Sequence, residues 1–379
     1  MHLPFCAAKC HYCDFFSVAA EGHDRAAMVA AILREAELYA PRAPRTMFLG
    51  GGTPSLLEAG ELRTLLDGLE RICGWRASAL EVTAECNPES LDRAKAELLL
   101  ELGVRRLSIG FQSLEPRILE LFGRVHQVET SFAAFAAARA AGFTNLNVDL
   151  IYAVPGQELE LWLADLERVL ELGPEHLSAY NLTFEEETLF RRWLEEGRLE
   201  KLPEERELAF FESTRSRLRA AGLLPYEISN FARSGLQCQH NVNYWHNGPY
   251  LGIGPSAVSK LGTSRFGNVK AIGGYTRRIR EEGQARAWSE TPEPQARLAE
   301  TWWLGLRLAE GLSPAEARLR AQLPADEPDP TAPVLERLLH DGLIEPVGER
   351  WRLSERGLPL ADHVAKRFLG LRAALAPSG

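Results

Sequence analysis

Three cysteines lie within eight residues near the start of the chain. Cys6, Cys10 and Cys13 have the spacing C-x3-C-x2-C, whereas the cysteines at positions 73, 86 and 238 are scattered. Thiolates at this spacing can hold one face of a [4Fe–4S] cube, and three protein ligands leave the fourth iron open to a small molecule. An open iron indicates redox chemistry or substrate binding rather than simple electron transfer.

Two alternatives remain open for these cysteines: a structural zinc site with His11 as the fourth ligand, and a coincidental group of thiols. Structural zinc usually pairs one C-x2-C with a second pair farther along, and the remote cysteines show no such pairing. His11 lies between two of the ligands and is poorly placed to complete a tetrahedron. The spacing therefore favours an iron–sulfur cluster, and the remote cysteines are expected to be small buried residues.

Polar, glycine and proline residues follow each predicted strand. These segments are residues 50–55, 85–88, 110–113, 149–157 and 180–181. Ligands bind at the carboxyl ends of strands in parallel α/β folds. The segments therefore outline one candidate binding site at a single edge of the sheet.

The elements that must position this site alternate between short apolar runs and helical periodicity. The predicted strands are residues 46–50, 80–84, 106–110, 146–152 and 177–182, and the predicted helices between them are 24–40, 58–73, 91–102, 115–141 and 158–172. A short first strand at residues 2–5 brings the total to six. The pattern fits an α/β fold with a partial (βα)6 barrel of the TIM type better than an open sheet.

The chain divides into three predicted regions. Residues 1–184 form the partial barrel, residues 185–290 an α+β covering region, and residues 291–379 a C-terminal helical, winged-helix-like module. In that module a Pro-rich linker at 321–333 precedes a helix at 334–341 and a hairpin at 343–353. The acidic character of the module favours packing or protein contact over DNA binding. The last helix, at 358–375, has an apolar side that includes Val364, Phe368 and Leu371; this side is expected to face the core, with peripheral membrane contact as the alternative.

Charge and composition exclude several classes of protein. The 379 residues include 43 Lys and Arg against 52 Asp and Glu, a net charge of −9, which argues against a nucleic-acid partner. The 45% hydrophobic and 25% charged residues are typical of a folded globular protein. No apolar run reaches the roughly 18 to 20 residues that span a bilayer, and no secretory signal is evident. A cytoplasmic location, in which thiols stay reduced, is expected.

The cysteine motif resembles that of the radical S-adenosylmethionine (SAM) superfamily, which has an aromatic residue before the last cysteine, here Tyr12. Within that superfamily, the segments PFC at 4–6, GGGTPS at 50–55, GFQS at 110–113, GRVH at 123–126 and NVDLIY at 147–152 resemble the group related to oxygen-independent coproporphyrinogen III oxidase. The resemblance covers most of the chain. It implies that SAM caps the open iron and that one electron from the cluster can cleave SAM.

The resemblance also implies roles for individual residues. Cys6, Cys10 and Cys13 would ligate the cluster. The residues implied to contact SAM are Tyr12, Gly51, Gly52, Thr53, Glu85, Gln112, Arg124 and Asp149. Family members carry a tyrosine six residues before the first cysteine, a position that falls ahead of Met1, so we expect the native chain to begin upstream.

Two branches of this group differ in features that the sequence shows. The oxidases have a fourth cysteine two residues after the third, where this chain has Phe15, and an additional N-terminal segment that this sequence lacks. The HemW-type heme chaperone branch carries the motif HNxxYW, which is intact here at residues 240–245. The residues implied to contact heme are His240, Asn241, Tyr244 and Trp245.

The second branch implies a protein that binds heme and a SAM-ligated cluster, delivers heme to respiratory hemoproteins and takes electrons from a donor. The alternative is the oxidase reaction, in which a SAM radical drives decarboxylation of two porphyrin propionates. Reductive cleavage of SAM is available to either branch. The missing cysteine and segment argue against coproporphyrinogen III dehydrogenase activity.

Overall fold

The computed structural model describes residues 1–41, 43–324 and 326–374, with side chains described up to residue 369. In chain order the strands are β1 (His2–Leu3), β2 (Phe5–Cys6), β3 (Val18–Ala19), β4 (Thr46–Gly51), β5 (Glu81–Cys86), β6 (Arg106–Gln112), β7 (Leu146–Tyr152), β8 (His176–Asn181), β9 (Leu224–Pro225), β10 (Asn230–Ala232), β11 (Val258–Leu261), β12 (Ser264–Asn268), β13 (Arg286–Glu290), β14 (Ile344–Val347) and β15 (Arg350–Leu353). The helices are α1 (Arg25–Tyr39), α2 (Ala59–Cys73), α3 (Trp75–Ser78), α4 (Arg93–Glu101), α5 (Pro116–Leu121), α6 (Val128–Ala141), α7 (Leu159–Glu171), α8 (Leu189–Glu195), α9 (Glu204–Ala220), α10 (Gln239–Trp245), α11 (Ile272–Glu282), α12 (Pro294–Gly305), α13 (Pro314–Arg320), α14 (Ala332–His340) and α15 (Ala361–Ala374).

The largest sheet has the strand order β1-β4-β5-β6-β7-β8-β10-β9. Its first six strands are parallel to one another, and β10 and β9 continue the sheet in antiparallel pairs. Helices connect the parallel strands from β4 to β8. This is the predicted partial TIM-type barrel of six parallel strands, extended by two short strands.

Alternating side chains separate two faces of each barrel strand. On β6, Leu107, Ile109 and Phe111 belong to the large apolar core that also contains side chains of the surrounding helices. Ser108 points to the opposite, inner face, where it hydrogen-bonds Asp149 of β7 at 2.8 Å. The inner face is therefore polar at these positions, whereas the interior of a barrel without a ligand site is filled with apolar side chains.

The predicted helix at 115–141 is wrong as a single helix. It divides into α5 and α6, because Gly123 adopts a left-handed conformation (φ 71°) and ends the first helix. The break was not predicted because the segments on both sides of it have helical periodicity. The interruption carries Arg124 out of the helical path and toward the cysteine loop.

The first predicted strand, 2–5, also differs from the structure. Pro4 has no amide hydrogen to donate to a strand neighbour. His2 and Leu3 pair with β4, whereas Phe5 and Cys6 pair with β3 in a separate two-stranded sheet. The chain therefore leaves the barrel just before the first cysteine. The predicted covering region begins with two helices, α8 and α9.

A second apolar core lies in the C-terminal residues, between positions 298 and 368. We refer to residues 294–374 as the C-terminal module. It contains the predicted helix, here α14, followed by the predicted hairpin of β14 and β15. Val364 and Phe368 of α15 are buried in this core, so that side of the helix is covered by protein; Leu371 lies outside the described side chains. Among the described helices, none is both long and apolar enough to cross a membrane.

Candidate functional site

Hydrogen bonds within the cysteine loop and to the end of α5 fix the position of the loop. The amide of Cys13 donates to the carbonyl of Cys10 at 3.3 Å, and the amide of His11 donates to the carbonyl of Phe122 at 2.9 Å. The His11 ring Nδ1 lies 2.8 Å from the carbonyl oxygen of Leu121. His11 is therefore hydrogen-bonded to the carboxyl end of α5, and these contacts attach the loop to that helix.

Tyr12 anchors the same loop through packing. Its ring lies 4.7 Å from the ring of Phe122 and 6.3 Å from that of Phe190, in a small apolar cluster under the loop. Burial raises the pKa of Tyr12 well above its ordinary value, so the phenol stays neutral. The residue thus holds the loop in place, and a direct contact with SAM stays a prediction.

All six cysteines are free thiols, and the three in the loop are only partly buried. Thr53 Oγ1 donates to Cys6 Sγ at 3.7 Å, and Arg124 Nη1 donates to Cys10 Sγ at 3.5 Å. Burial raises the pKa of Cys6 and raises that of Cys13 to about 11, so positive charge from bound iron is needed to ionise them. Soft sulfur donors beside two hydrogen-bond donors fit an iron–sulfur cluster.

One metal ion is a poorer fit to the same residues. In the described part of the chain, no three His, Cys, Asp or Glu side chains are arranged to hold a single ion. A cube does not need that arrangement, because each cysteine ligates a different iron. The donor set is therefore compatible with the predicted cluster.

The glycine turn after β4 lies directly against the start of the chain. The amide of Gly52 donates to the carbonyl of Leu3 at 2.8 Å, and that of Thr53 to the carbonyl of Phe5 at 2.7 Å. A Cβ on Gly52 would lie 2.6 Å from the Leu3 oxygen and 2.7 Å from the Phe5 oxygen. Only glycine permits this backbone approach, which places Thr53 beside Cys6.

Replacing Gly52 with alanine should lower the stability of the protein by about 1–3 kcal/mol, because the new methyl group meets backbone atoms that cannot move aside. Gly60 is the matched control, since a Cβ there meets nothing within 4 Å and the residue lies in α2. Gly60→Ala should be neutral or slightly stabilising. Urea denaturation of both variants measures the effect, and equal midpoints would contradict the packing argument.

Arg124 and Asn87 connect three of the loops that meet at this edge of the sheet. Asn87 Nδ2 donates to Thr53 Oγ1 at 2.9 Å, and Arg124 Nη2 donates to Asn87 Oδ1 at 2.8 Å. Arg124 Nη2 also donates to the carbonyl of Gly110 at 3.0 Å. Sequence reasoning included Asn87 only as part of a polar segment, and the structure shows that it bridges the glycine turn and the arginine.

Gln112 ends β6 in a left-handed conformation with φ 66°. A bulge interrupts the pairing of β6 with β7 between Gly110 and Gln112. A Cβ at Gly110 would lie 2.7 Å from Gln112 Nε2, so the glutamine side chain folds back over the glycine. Such strain in a non-glycine residue is typical of binding sites, where a bulge re-aims a side chain.

Two carboxylates, Glu85 and Asp149, lie on the inner face of the barrel. Glu85 Oε2 accepts a hydrogen bond from the amide of Gly51 at 3.1 Å. Asp149 accepts from Ser108 Oγ and from Asn147 Nδ2, each at 2.8 Å. Burial, and secondarily the charge of Asp149, raise the pKa of Glu85 to about 7. Glu85 therefore gains or loses its proton near neutral pH.

Glu85 should make the folded protein less stable as the pH rises from about 4.5 toward 7. Its folded-state pKa is about 7 and its ordinary value is 4.5, so the protonated form favours folding and this advantage is lost as the pH rises. The difference corresponds to about 3 kcal/mol. Glu85→Gln should therefore flatten the pH dependence of the urea midpoint between pH 5 and 8. The exposed Glu200→Gln serves as control, and identical profiles for wild type and Glu85→Gln would contradict the assignment.

The HNxxYW motif forms α10, which is attached to the amino end of the barrel by Glu81. Glu81 accepts hydrogen bonds from the amide of Gln239 at 2.8 Å and from the amide of His240 at 3.2 Å. The Cys238 thiol donates to the same carboxylate at 3.3 Å. Glu81 is the first residue of β5, so a barrel strand fixes the start of the helix.

His240 is held as a neutral imidazole. Its ring stacks on Phe48 of β4 with centroids 5.1 Å apart, and Nδ1 lies 2.8 Å from Thr46 Oγ1. Nε2 lies 3.0 Å from the hydroxyl of Tyr244, one helical turn later. Burial lowers the pKa of His240 to about 4, which leaves the ring uncharged at neutral pH. An uncharged imidazole with a fixed orientation can ligate a metal once Tyr244 moves aside.

The other motif residues have different surroundings. Tyr244 is 37% exposed and packs edge-on against Tyr250. Asn241 is half-buried. The Trp245 ring lies under the guanidinium of Arg307, 4.7 Å away, in the C-terminal module. Trp245 thus faces the C-terminal module, whereas His240 and Tyr244 face the barrel and Tyr250.

The structure brings the predicted site residues together in two groups. The cysteine loop, the glycine turn, Glu85, Gln112 and Arg124 gather at the carboxyl end of the barrel, as the sequence indicated. Asp149 lies deeper, midway along β7 on the inner face, where it accepts from Ser108 and Asn147. His240 and Tyr244 gather beside the first residues of β4. This second group also includes Thr46, Phe48 and Glu81. The sequence did not predict these three residues, because nothing in their own segments indicates a contact with residues near position 240.

The chain matches two protein-family models and is similar to known proteins along most of its length. The family model described as the radical SAM superfamily matches residues 1–169, and the model described as the HemN C-terminal domain matches residues 293–360. The chain is 34% identical over 375 residues to heme chaperone HemW of Bacillus subtilis, covering 98% of each chain. It is 35% identical to heme chaperone HemW of Escherichia coli, covering 97% of each chain.

The fold also matches a solved structure. Coproporphyrinogen III oxidase (HemN) from Escherichia coli, described as a radical SAM enzyme, superposes with a TM-score of 0.81 at 23% identity. The match covers 97% of this chain and 88% of that one. At this level of identity the likeness establishes the shared fold.

Proposed function

Because the chain belongs to the HemW family of heme chaperones, within the radical SAM superfamily, we propose that it binds heme and delivers it to respiratory hemoproteins. The observation that carries this proposal is the neutral His240, oriented by Thr46 and Phe48, within an intact HNxxYW motif. A carrier must hold a cofactor and release it. A single imidazole ligand on a short helix suits that task better than an enclosed pocket.

In this proposal His240 would ligate heme iron through Nε2, while its Nδ1 keeps the contact with Thr46 Oγ1. The Tyr244 hydroxyl is hydrogen-bonded to Nε2 at 3.0 Å, so it would have to move aside for heme iron to bind there. The exposed part of Tyr244 and the neighbouring Tyr250 offer aromatic surface to the porphyrin. Trp245 contributes to heme binding indirectly, because its ring is covered by Arg307.

The first group of residues is proposed to hold the cluster and SAM. Cys6, Cys10 and Cys13 would ligate three irons, and a cluster of this type supplies one-electron redox chemistry when bound. Glu85, Gln112 and Asp149 offer hydrogen-bonding groups to the ammonium, the carboxylate and the ribose hydroxyls of SAM, and Arg124 offers its guanidinium to the carboxylate. Gly51 and Gly52 allow the ligand to approach the backbone closely. An electron donor is a further proposed partner.

The oxidase reaction is the second candidate, and the shared fold with HemN is the observation in its favour. Phe15 occupies the position of the additional cysteine of the oxidases, and the residue is 64% exposed. A phenyl ring cannot ligate iron. We therefore place the heme-carrier function first.

The two candidates separate in one anaerobic experiment. The reconstituted protein is incubated with SAM and either heme or coproporphyrinogen III. We expect a saturable heme complex whose heme passes to an apo-hemoprotein, with coproporphyrinogen III left unchanged. Stoichiometric decarboxylation without heme transfer would overturn the proposal in favour of the oxidase.

A further inference from the structure

The helix that carries the HNxxYW motif has two different neighbours. His240 and Tyr244 are one turn apart and face β4 and Tyr250. Trp245 follows His240 by five residues, which places it about 140° around the helix axis. It faces the C-terminal module instead. The short helix α10 therefore lies between the barrel and the module.

Three consecutive residues, the last of α10 and the two that follow it, contact the module. The guanidinium of Arg307 covers the Trp245 ring at 4.7 Å. His246 Nε2 lies 2.9 Å from Glu310 Oε1, and Asn247 Nδ2 donates to Thr301 Oγ1 at 2.9 Å. Thr301 and Asn247 are both buried, so this last bond is protected from water. These contacts link the carboxyl end of α10 to α12 and the segment after it.

Such contacts matter because α10 has only seven residues. A helix this short does not persist through its own hydrogen bonds and takes its direction from what holds its ends. Glu81 of the barrel holds the amino end through the amides of Gln239 and His240. The C-terminal module holds the other end, which is the end next to Tyr244.

Arg307 is the contact best suited to set the direction of the helix. Its guanidinium is mostly buried, with a side-chain exposure of 19%, and its carboxylate neighbour Asp362 lies 3.9 Å away and is 92% exposed. An exposed acid at that distance contributes little. The aromatic face of Trp245, which is half-buried, is therefore the better shielded partner of this cation.

We propose that the C-terminal module orients the heme-binding helix, with Arg307 as a positioning residue that acts through Trp245. The inference rests on the proposed heme-carrier function. Loss of the Arg307 contact frees the carboxyl end of α10, so the His240 imidazole no longer keeps the orientation that iron requires. The module thereby influences heme ligation without contacting heme.

The test compares Arg307→Ala and Arg307→Lys in the full chain. Arg352→Ala is the matched control, because Arg352 is in the same module but is paired with Glu345 on the adjacent strand. We expect Arg307→Ala to weaken heme affinity about three- to tenfold, the range of one cation–π contact, and to change the heme absorption spectrum. Lysine should restore most of both properties, and Arg352→Ala should match the unmodified protein.

A second readout separates this inference from the proposed function. Amide hydrogen exchange of residues 241–245 without heme should be faster in Arg307→Ala than in Arg352→Ala. If the unmodified protein fails to bind heme, the proposed function fails and this inference fails with it. If it binds heme and Arg307→Ala keeps its affinity, spectrum and exchange rates, the inference alone is overturned.

Folding of the variants is checked by circular dichroism. Should Arg307→Ala fail to fold, Trp245→Phe decides the matter, since phenylalanine keeps an apolar ring but is a weaker partner for a cation. We expect it to weaken heme affinity in the same direction and by a smaller factor. An unchanged heme titration for Trp245→Phe would then overturn the proposal.

Discussion

Replacing Cys10 with serine should abolish the iron–sulfur cluster. The iron content of anaerobically reconstituted protein should fall from about four per chain to near zero, and the broad visible absorption of the cluster should disappear. A serine hydroxyl is a poor ligand for iron in such a cube, and only three cysteines of the loop are available. The loss of one therefore leaves too few ligands. Iron and sulfide analysis together with Mössbauer spectroscopy measure the effect.

Cys73→Ser is the matched control. Cys73 is a partly buried free thiol at the end of α2, where its sulfur donates to the carbonyl of Leu69. The control should retain the full cluster. A Cys10→Ser protein that still holds a four-iron centre, or wild type that takes up a single zinc ion instead, would contradict the assignment of the loop.

His240→Ala should remove the bond between the imidazole and the heme iron and lower heme affinity by at least roughly tenfold, or about 1.4 kcal/mol. The Soret band should move to the position of heme without an imidazole ligand. Since burial lowers the pKa of His240 to about 4, wild-type affinity should stay constant from pH 8 down to about pH 5 and fall as the ring gains a proton near pH 4. Spectroscopic heme titrations at several pH values check both results.

His340→Ala provides the control for that substitution, because His340 is a histidine at the end of α14 and its side chain is 89% exposed. It should bind heme as wild type does. Equal affinity and spectrum for His240→Ala and wild type would remove His240 as the axial ligand, and the heme site would have to be sought elsewhere.

The barrel could be predicted from local sequence, whereas the assembly of the heme site could not. Alternating side chains in strands such as β6 and β7, followed by polar segments, indicate both the sheet and the edge where ligands bind. Arg124 illustrates the limit. It lies in a break between two strongly helical segments, and the break depends on Gly123 and on contacts with the cysteine loop.

The position of α10 depends on contacts between residues far apart in the chain. His240 meets Thr46 across 194 positions, and its amide meets Glu81 across 159. Periodicity describes a single segment and carries no information on such pairs. The motif could therefore be found in the sequence, but its neighbours, including Arg307, became evident only from the fold.

Strand β4 carries residues of both proposed ligand sites. Thr46 and Phe48 hold His240, and Gly51 at the other end of the strand belongs to the turn beside the cysteines. At about 3.3 Å per residue, the first and last positions of β4 are about 16 Å apart. Residues 46–49 of β4 pair with β5 and residues 50–51 pair with β1, so both ends of the strand are held in the sheet. In the proposed function, the heme site and the cofactor site therefore use different residues of the same strand.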